Sequence, residues 1–435
     1  MRAEGLVKFL NESPVSYIAG ANVIRRLEEA GFCRLSPGQK PFPGERCYKV
    51  FNDTTVIAFS VPEGPVTGMM IAASHLDSPG IRLRVNPELS GDYIRLSGER
   101  YGGAINDTWL DRPLSIAGRV VIRTKQGIRK VLVDLNENCA VIPNVAIHLQ
   151  RNLNEGHKVD QRSDLYALFA GGKSEGGAGE GSFARAIAEA VSVSEEKKVE
   201  PEDILSHDLF LYNNQPACVW GENDEFFSGP RLDDLACVYA SLEAFTAAEA
   251  KGGVMPVLAV FDNEEIGSET KQGAGAVTLS QVLREICENT GANFEAVMEN
   301  TLMLSADNAH ARHPNHPEIS DVKEYPLLNK GVVVKHSPRY ATCGVAEGLF
   351  ACICERAGVP LQSYANRPDL PGGATLGNIA DTKLPVNTVD IGIAQLAMHS
   401  AYETMGAKDI DYMIEAMRAV YESEIVTSED QMIVR

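Results

Sequence analysis

The sequence lacks any C-x-x-C pair, and its nine cysteines are an odd number at irregular spacing. No disulfide framework can be read from such a pattern. No run approaches 18 apolar residues, so nothing reads as a membrane-spanning helix. Positive charge is short. Lys and Arg total 40 against 59 Asp and Glu, a net charge of −19. A chain this acidic is a poor partner for nucleic acid or an anionic membrane. A complete phosphate-binding loop is also missing. Gly172-Lys173-Ser174 suggests one, but the pattern needs a glycine where Ala167 stands. No internal repeat is visible. Arg2, Glu4, Lys8 and Glu12 interrupt the N-terminus where a leader would be apolar, and a reduced cytoplasmic location is the expectation.

What is present is an ordinary globular balance, 44% hydrophobic and 23% charged over 435 residues. That length suggests two or three domains. Residues 4–11 and 14–32 read as helices, and 47–61 as a hairpin. Residues 68–74 read as a buried strand running into His75-Leu76-Asp77. From about 81 to 214 the texture becomes short β-rich pieces, with a Gly-rich loop at 171–182 and a helix at 182–192. After 230, helices alternate with short apolar strands: helices at 232–250, 277–287, 342–357 and 408–422, strands at 256–261, 302–305, 331–335, 361–364 and 386–393. Such alternation predicts an α/β fold, a central mixed β-sheet flanked by helices. The expected division is a discontinuous α/β domain, 1–80 plus 215–435, interrupted by the β-rich insertion 81–214.

Polar residues capable of chemistry gather where the apolar strands end. Asn263-Glu264-Glu265 follows Val257–Phe261, and ligands collect beyond the carboxyl ends of strands in such sheets. His75 and Asp77, Asp233 and Asp234, Asp307 and His399 stand at similar strand or helix ends. Two histidines with several carboxylates suit zinc, cobalt or manganese. A bridging carboxylate with two further ligands on each side needs five groups, and His75, Asp233, Glu265, Asp307 and His399 supply that number. Taken singly, each is more often structural. Their joint placement is what argues for a site.

Ser74-His75-Leu76-Asp77-Ser78-Pro79, Pro230-Arg231-Leu232-Asp233, Asp262–Ser268, Ser305–His310 and Met398-His399-Ser400 together resemble the metal-site motifs of the aspartyl aminopeptidase family, dinuclear zinc exopeptidases, in that family's order. The resemblance implies a zinc-exopeptidase-like fold and an aminopeptidase that removes N-terminal residues, acidic ones among them, from short peptides with a free N-terminus. It implies two divalent ions, zinc with cobalt or manganese as other choices. Asp233 would bridge them, His75 and Asp307 would complete one site, and Glu265 and His399 the other. Glu264 would be the general base, and Asp77 would orient His75. His148 would be offered to a neighbouring subunit's site. Lys335 and His310 would line the substrate pocket. The insertion would serve dimerisation, with dimers assembling to a dodecamer. Pro371–Gly377 departs from the eukaryotic version and resembles the bacterial branch, which leaves the preferred N-terminal residue open. His313 and His316 are read as a solvated loop. The rival readings are a dinuclear deacylase or endo-acting hydrolase of the same fold, or a non-catalytic assembly or cargo protein.

Overall fold

The computed structural model describes residues 2–172, 179–370 and 372–435. Most of the Gly-rich stretch, and Pro371 of the turn named above, lie outside the described residues.

A nine-stranded mixed sheet forms the centre. Its middle is parallel: Gly68–His75 lies between Val254–Phe261 and Leu302–Ala306, and the latter pairs with Asn387–Gly392. Antiparallel partners flank this middle, Thr55–Ser60 on one side and Val332–His336 on the other. The apolar runs that predicted these strands are continuous because helices cover both faces. Alternate residues then serve opposite layers. In Gly68–His75, Met70 and Ala72 face a core shared with the helices Leu232–Ala247 and Asp409–Tyr421, whereas Met69, Ile71 and Ala73 face one shared with Thr278–Thr290.

Leu232–Ala247 is buried on nearly every side because it lies between the sheet and the C-terminal helix Asp409–Tyr421. Phe245, near its end, packs on Phe32 and Tyr421 with ring centroids at 5.0 and 5.5 Å. Phe245→Ala should cost about 3–5 kcal/mol and lower the thermal midpoint, as a differential scan would show.

The predicted helix over 14–32 is shorter than expected. It runs Ser16–Glu29, after Pro14, and Gly31 at φ +86° ends the segment. Residues 80–213 contribute a separate six-stranded antiparallel sheet. One of its central strands, Ile204–Asn213, was not legible in the sequence, because Ser206-His207-Asp208 breaks its apolar pattern. It pairs with both Leu114–Thr124 and Gly80–Leu89. Arg119 joins this sheet to the rest of the chain. Its guanidinium meets Asp208 at 2.6 Å and Asp53 at 2.7 Å, and lies over the Tyr17 ring.

Candidate metal centre and active site

The parallel strands converge on one edge of the sheet. Phe261 pairs with His75 at the last rung of its ladder, so Asp262–Glu265 leave the sheet beside His75. Asp307 follows Ala306 on the neighbouring strand. Asp233 arrives from the start of the helix Leu232–Ala247. There Asp233 and Asp234 have non-helical dihedrals and a cis peptide joins them. His399 comes from a loop, at φ +70°.

Asp233 stands in the middle and points its two oxygens different ways. Its Oδ1 lies 3.7 Å from His75 Nε2, whose other near oxygen is Asp307 Oδ1 at 3.9 Å. Its Oδ2 lies 3.4 Å from His399 Nε2, which is 3.6 Å from Glu265 Oε2. Glu264 Oε2 is 4.0 Å from His75 Nε2. In each of three overlapping groups the ligand atoms lie within 4.8 Å of one another: His75, Asp233, Asp234 and Asp307; His75, Glu264 and Glu265; Asp233, Glu265 and His399. Asp233 Oδ1 and Glu265 Oε1 are buried without a hydrogen-bond partner. Buried carboxylate oxygens carry a large desolvation cost unless something positive meets them. Separations of 3.4–3.9 Å between donors leave room for a cation bound to both at zinc distances. The donor set therefore fits divalent metal.

Electrostatics point the same way. Burial pushes the Glu264 carboxyl up to about 8, opposed by His75 and reinforced by Asp307 and Asp77. Burial, and then Asp233, holds Glu265 well above the usual carboxylate range. Burial would lower His75 and His399, yet the surrounding carboxylates outweigh it, and His399 reaches about 9. Burial would raise Asp307, but Lys335 and His75 overcome it and keep the carboxylate well below its ordinary value. The pocket is thus short of positive charge, a shortage that bound cations relieve.

Further residues hold these groups in place, Asp77 and Asp234 among them as the sequence named them, and Glu403, which it did not. His75 Nδ1 meets the backbone carbonyl of Asp77 at 3.0 Å, closer than that residue's carboxylate at 3.5 Å. A proton on Nδ1 leaves Nε2 free as a ligand. The Asp77 carboxylate instead accepts the backbone N–H groups of Glu264 and Glu265, each at 3.1 Å. Asp234 Oδ2 accepts the His75 N–H at 3.2 Å. Glu403, fully buried, accepts the N–H of Asp233 at 3.1 Å and of His399 at 2.8 Å. Asp77 and Asp234 had a local signal, each standing near a candidate ligand in the sequence. Glu403 lies in a short strand of a third sheet and announced nothing.

A cavity of about 370 Å³ opens over the cluster, lined by Asp233, Glu264, Asp307 and His399 and, on its far wall, by His310, Lys335 and Tyr340. Lys335 is buried. Its Nζ donates to the Asn308 carbonyl at 3.1 Å and pairs with Asp307 Oδ2 at 3.4 Å. His148 is not brought to this cavity; it sits exposed on a loop between two strands of the six-stranded sheet. His313 and His316 lie with tilted rings 5.2 Å apart in a loop that does not line the cavity, with His316 against Glu318.

Comparison with known proteins agrees with this geometry. The family model described as "Aminopeptidase I zinc metalloprotease (M18)" matches residues 9–421. A protein described as a probable M18 family aminopeptidase 2 from Pseudomonas paraeruginosa is 38% identical over 433 residues, covering 97% of this chain and 99% of its own. Among solved structures, the cryo-EM structure of the Ape4 and Nbr1 complex superposes with a TM-score of 0.92 at 31% identity, over 97% of this chain and 85% of that one. The mApe1 dodecamer of S. cerevisiae superposes with a TM-score of 0.83 at 25% identity, over 96% and 97%. A metal-ready pocket at the carboxyl edge of a mixed sheet, matched along nearly the whole chain, places this protein in the aminopeptidase I zinc metalloprotease family.

Proposed function

We propose that the protein hydrolyses the first peptide bond of short peptides, with zinc at two positions sharing Asp233. The observation that carries this reading is the divergence of the Asp233 oxygens, one towards His75 and Asp307, the other towards His399 and Glu265. When bound, the ions supply Lewis acidity towards the scissile carbonyl and lower the pKa of water. The protein's residues do the rest. Glu264 takes the proton from the attacking water as the new C–O bond forms. It returns that proton to the amine nitrogen as the C–N bond breaks. Asp77, through two backbone N–H groups, holds the Glu264–Glu265 turn in place. Lys335 and His310 would meet the first side chain of the substrate.

Chelation tests the metal. Incubation with a chelator should abolish aminoacyl-nitroanilide hydrolysis and lower the thermal midpoint, and added zinc should restore both. Each site held at ~100 times its Kd contributes about 2.7 kcal/mol. Activity that survives complete metal removal, checked by elemental analysis, would end the proposal. Substrates with a blocked N-terminus separate this reading from a deacylase or endo-acting hydrolase, since an aminopeptidase rejects them. Rates on Asp and Glu nitroanilides above those on Leu and Lys would support an acidic first residue; the reverse order would take Lys335 out of that role.

The S. cerevisiae relative is a dodecamer. We propose that this chain also self-assembles, using the six-stranded sheet for dimer contacts and lending His148 to a neighbour's cavity. Light scattering on eluted fractions gives the assembly. A His148→Ala protein that assembles and retains full activity would remove that residue from catalysis. No helix among the described residues is long and apolar enough to cross a membrane. The nine cysteines are all unpaired, which fits a cytoplasmic protein.

A further inference from the structure

We infer that Tyr101 is a positioning residue for the reaction, and that through it the six-stranded sheet sets the geometry of the catalytic turn. This rests on the role proposed above for Glu264.

Tyr101 ends the strand Tyr93–Tyr101 of that sheet. Its ring is buried, edge-on to Phe210 from the same sheet at 5.4 Å. Its hydroxyl crosses into the catalytic region and donates to Asp77 Oδ2 at 2.8 Å. The same hydroxyl accepts Asn263 Nδ2 at 2.9 Å. Asp77 is the carboxylate that receives the Glu264 and Glu265 N–H groups, and Asn263 is the residue before them. One phenol therefore joins the two groups that hold the start of the Glu264 turn.

The next residues press on the other half of the cluster. Gly102, at φ +66°, runs so close to Glu265 that a Cβ there would sit 3.0 Å from the Glu265 Cβ. A Cβ on Gly103 would stand 2.8 Å from His399 Nδ1, and the Gly103 carbonyl faces that nitrogen at 3.3 Å. The Ile105 N–H donates to the His399 carbonyl at 3.0 Å. Residues 101–105 thus run from the six-stranded sheet along Asn263, Glu265 and His399. A phenol that served only to fill space would not need both hydrogen bonds on the one turn that carries the base. Charge on the carboxylate makes the bond to Asp77 the stronger of the two.

The test is a double-mutant cycle on the assembled, zinc-loaded protein. Tyr101→Phe keeps the ring and its packing on Phe210 and removes both hydrogen bonds. We expect kcat to fall about 10- to 100-fold, with KM within about twofold of wild type and metal content unchanged. In a Glu264→Gln background the same change should cost about twofold or less, because Tyr101 acts through the group already removed. An equal loss in both backgrounds, a loss that tracks metal content, or no loss in the wild-type background each overturns the inference. If Tyr101→Phe does not accumulate, Asn263→Gly tolerates the left-handed backbone at that position and removes the second bond to the phenol; the same coupling to Glu264 is expected. Wild-type rates for Glu264→Gln alone would instead overturn the functional reading beneath it.

Discussion

Glu264→Gln is expected to keep its metal and lose turnover by about 10²- to 10⁴-fold. The amide matches the carboxylate in shape and preserves the backbone N–H that Asp77 accepts. What it loses is the capacity to take and return a proton. Glu264 suits that task. Its carboxylate lines the cavity and stands 4.0 Å from His75 Nε2, beside the cluster. Glu265 lines the same cavity and is also raised by burial, but it is placed differently. Its side chain is more deeply buried, with one oxygen unpartnered and the other 3.6 Å from His399. Glu265→Gln should therefore weaken metal retention, while Glu264→Gln should not. Elemental analysis beside initial rates separates the two. If Glu264→Gln works at wild-type rates, another group moves the proton.

Asp233→Ala is expected to lose both ions and all measurable activity. The shared carboxylate supplies one oxygen to each half of the cluster. Removing it leaves His75 with Asp307, and His399 with Glu265, too few protein ligands for tight zinc binding in either half. Without metal, Asp233 repels Asp234 and Glu265 but also pairs with His399, so its removal takes away repulsion and attraction together. With zinc, the wild type gains stability by mass action and the variant does not. The chelator-dependent shift in thermal midpoint should therefore vanish in Asp233→Ala. A variant that still binds two ions per chain refutes the bridging role.

Much of the site was legible because of how parallel sheets are built. Apolar runs must stop where the sheet stops, and the first polar residues beyond them lie together along one edge. His75, Glu264, Glu265 and Asp307 each follow such a run, and the structure brings them within a few ångströms. His399 and Asp233 follow no strand in the central sheet, and it was the grouping of motifs that singled them out. His148 could be named from its surrounding segment, yet it lies outside the cavity of its own chain.

The sequence by itself determined the layered α/β plan, the β-rich texture that becomes the six-stranded sheet, and the residue types at the sheet edge. Each of these is a local property, a periodicity or a run a few residues long. Tertiary structure alone decided which oxygen faces which histidine, and which residues hold them there. Tyr101 reaches Asp77 across 24 positions, and Glu403 reaches Asp233 across 170. Neither contact leaves a local pattern, because a buried hydroxyl or carboxylate gains its meaning only from the partner that folding brings to it.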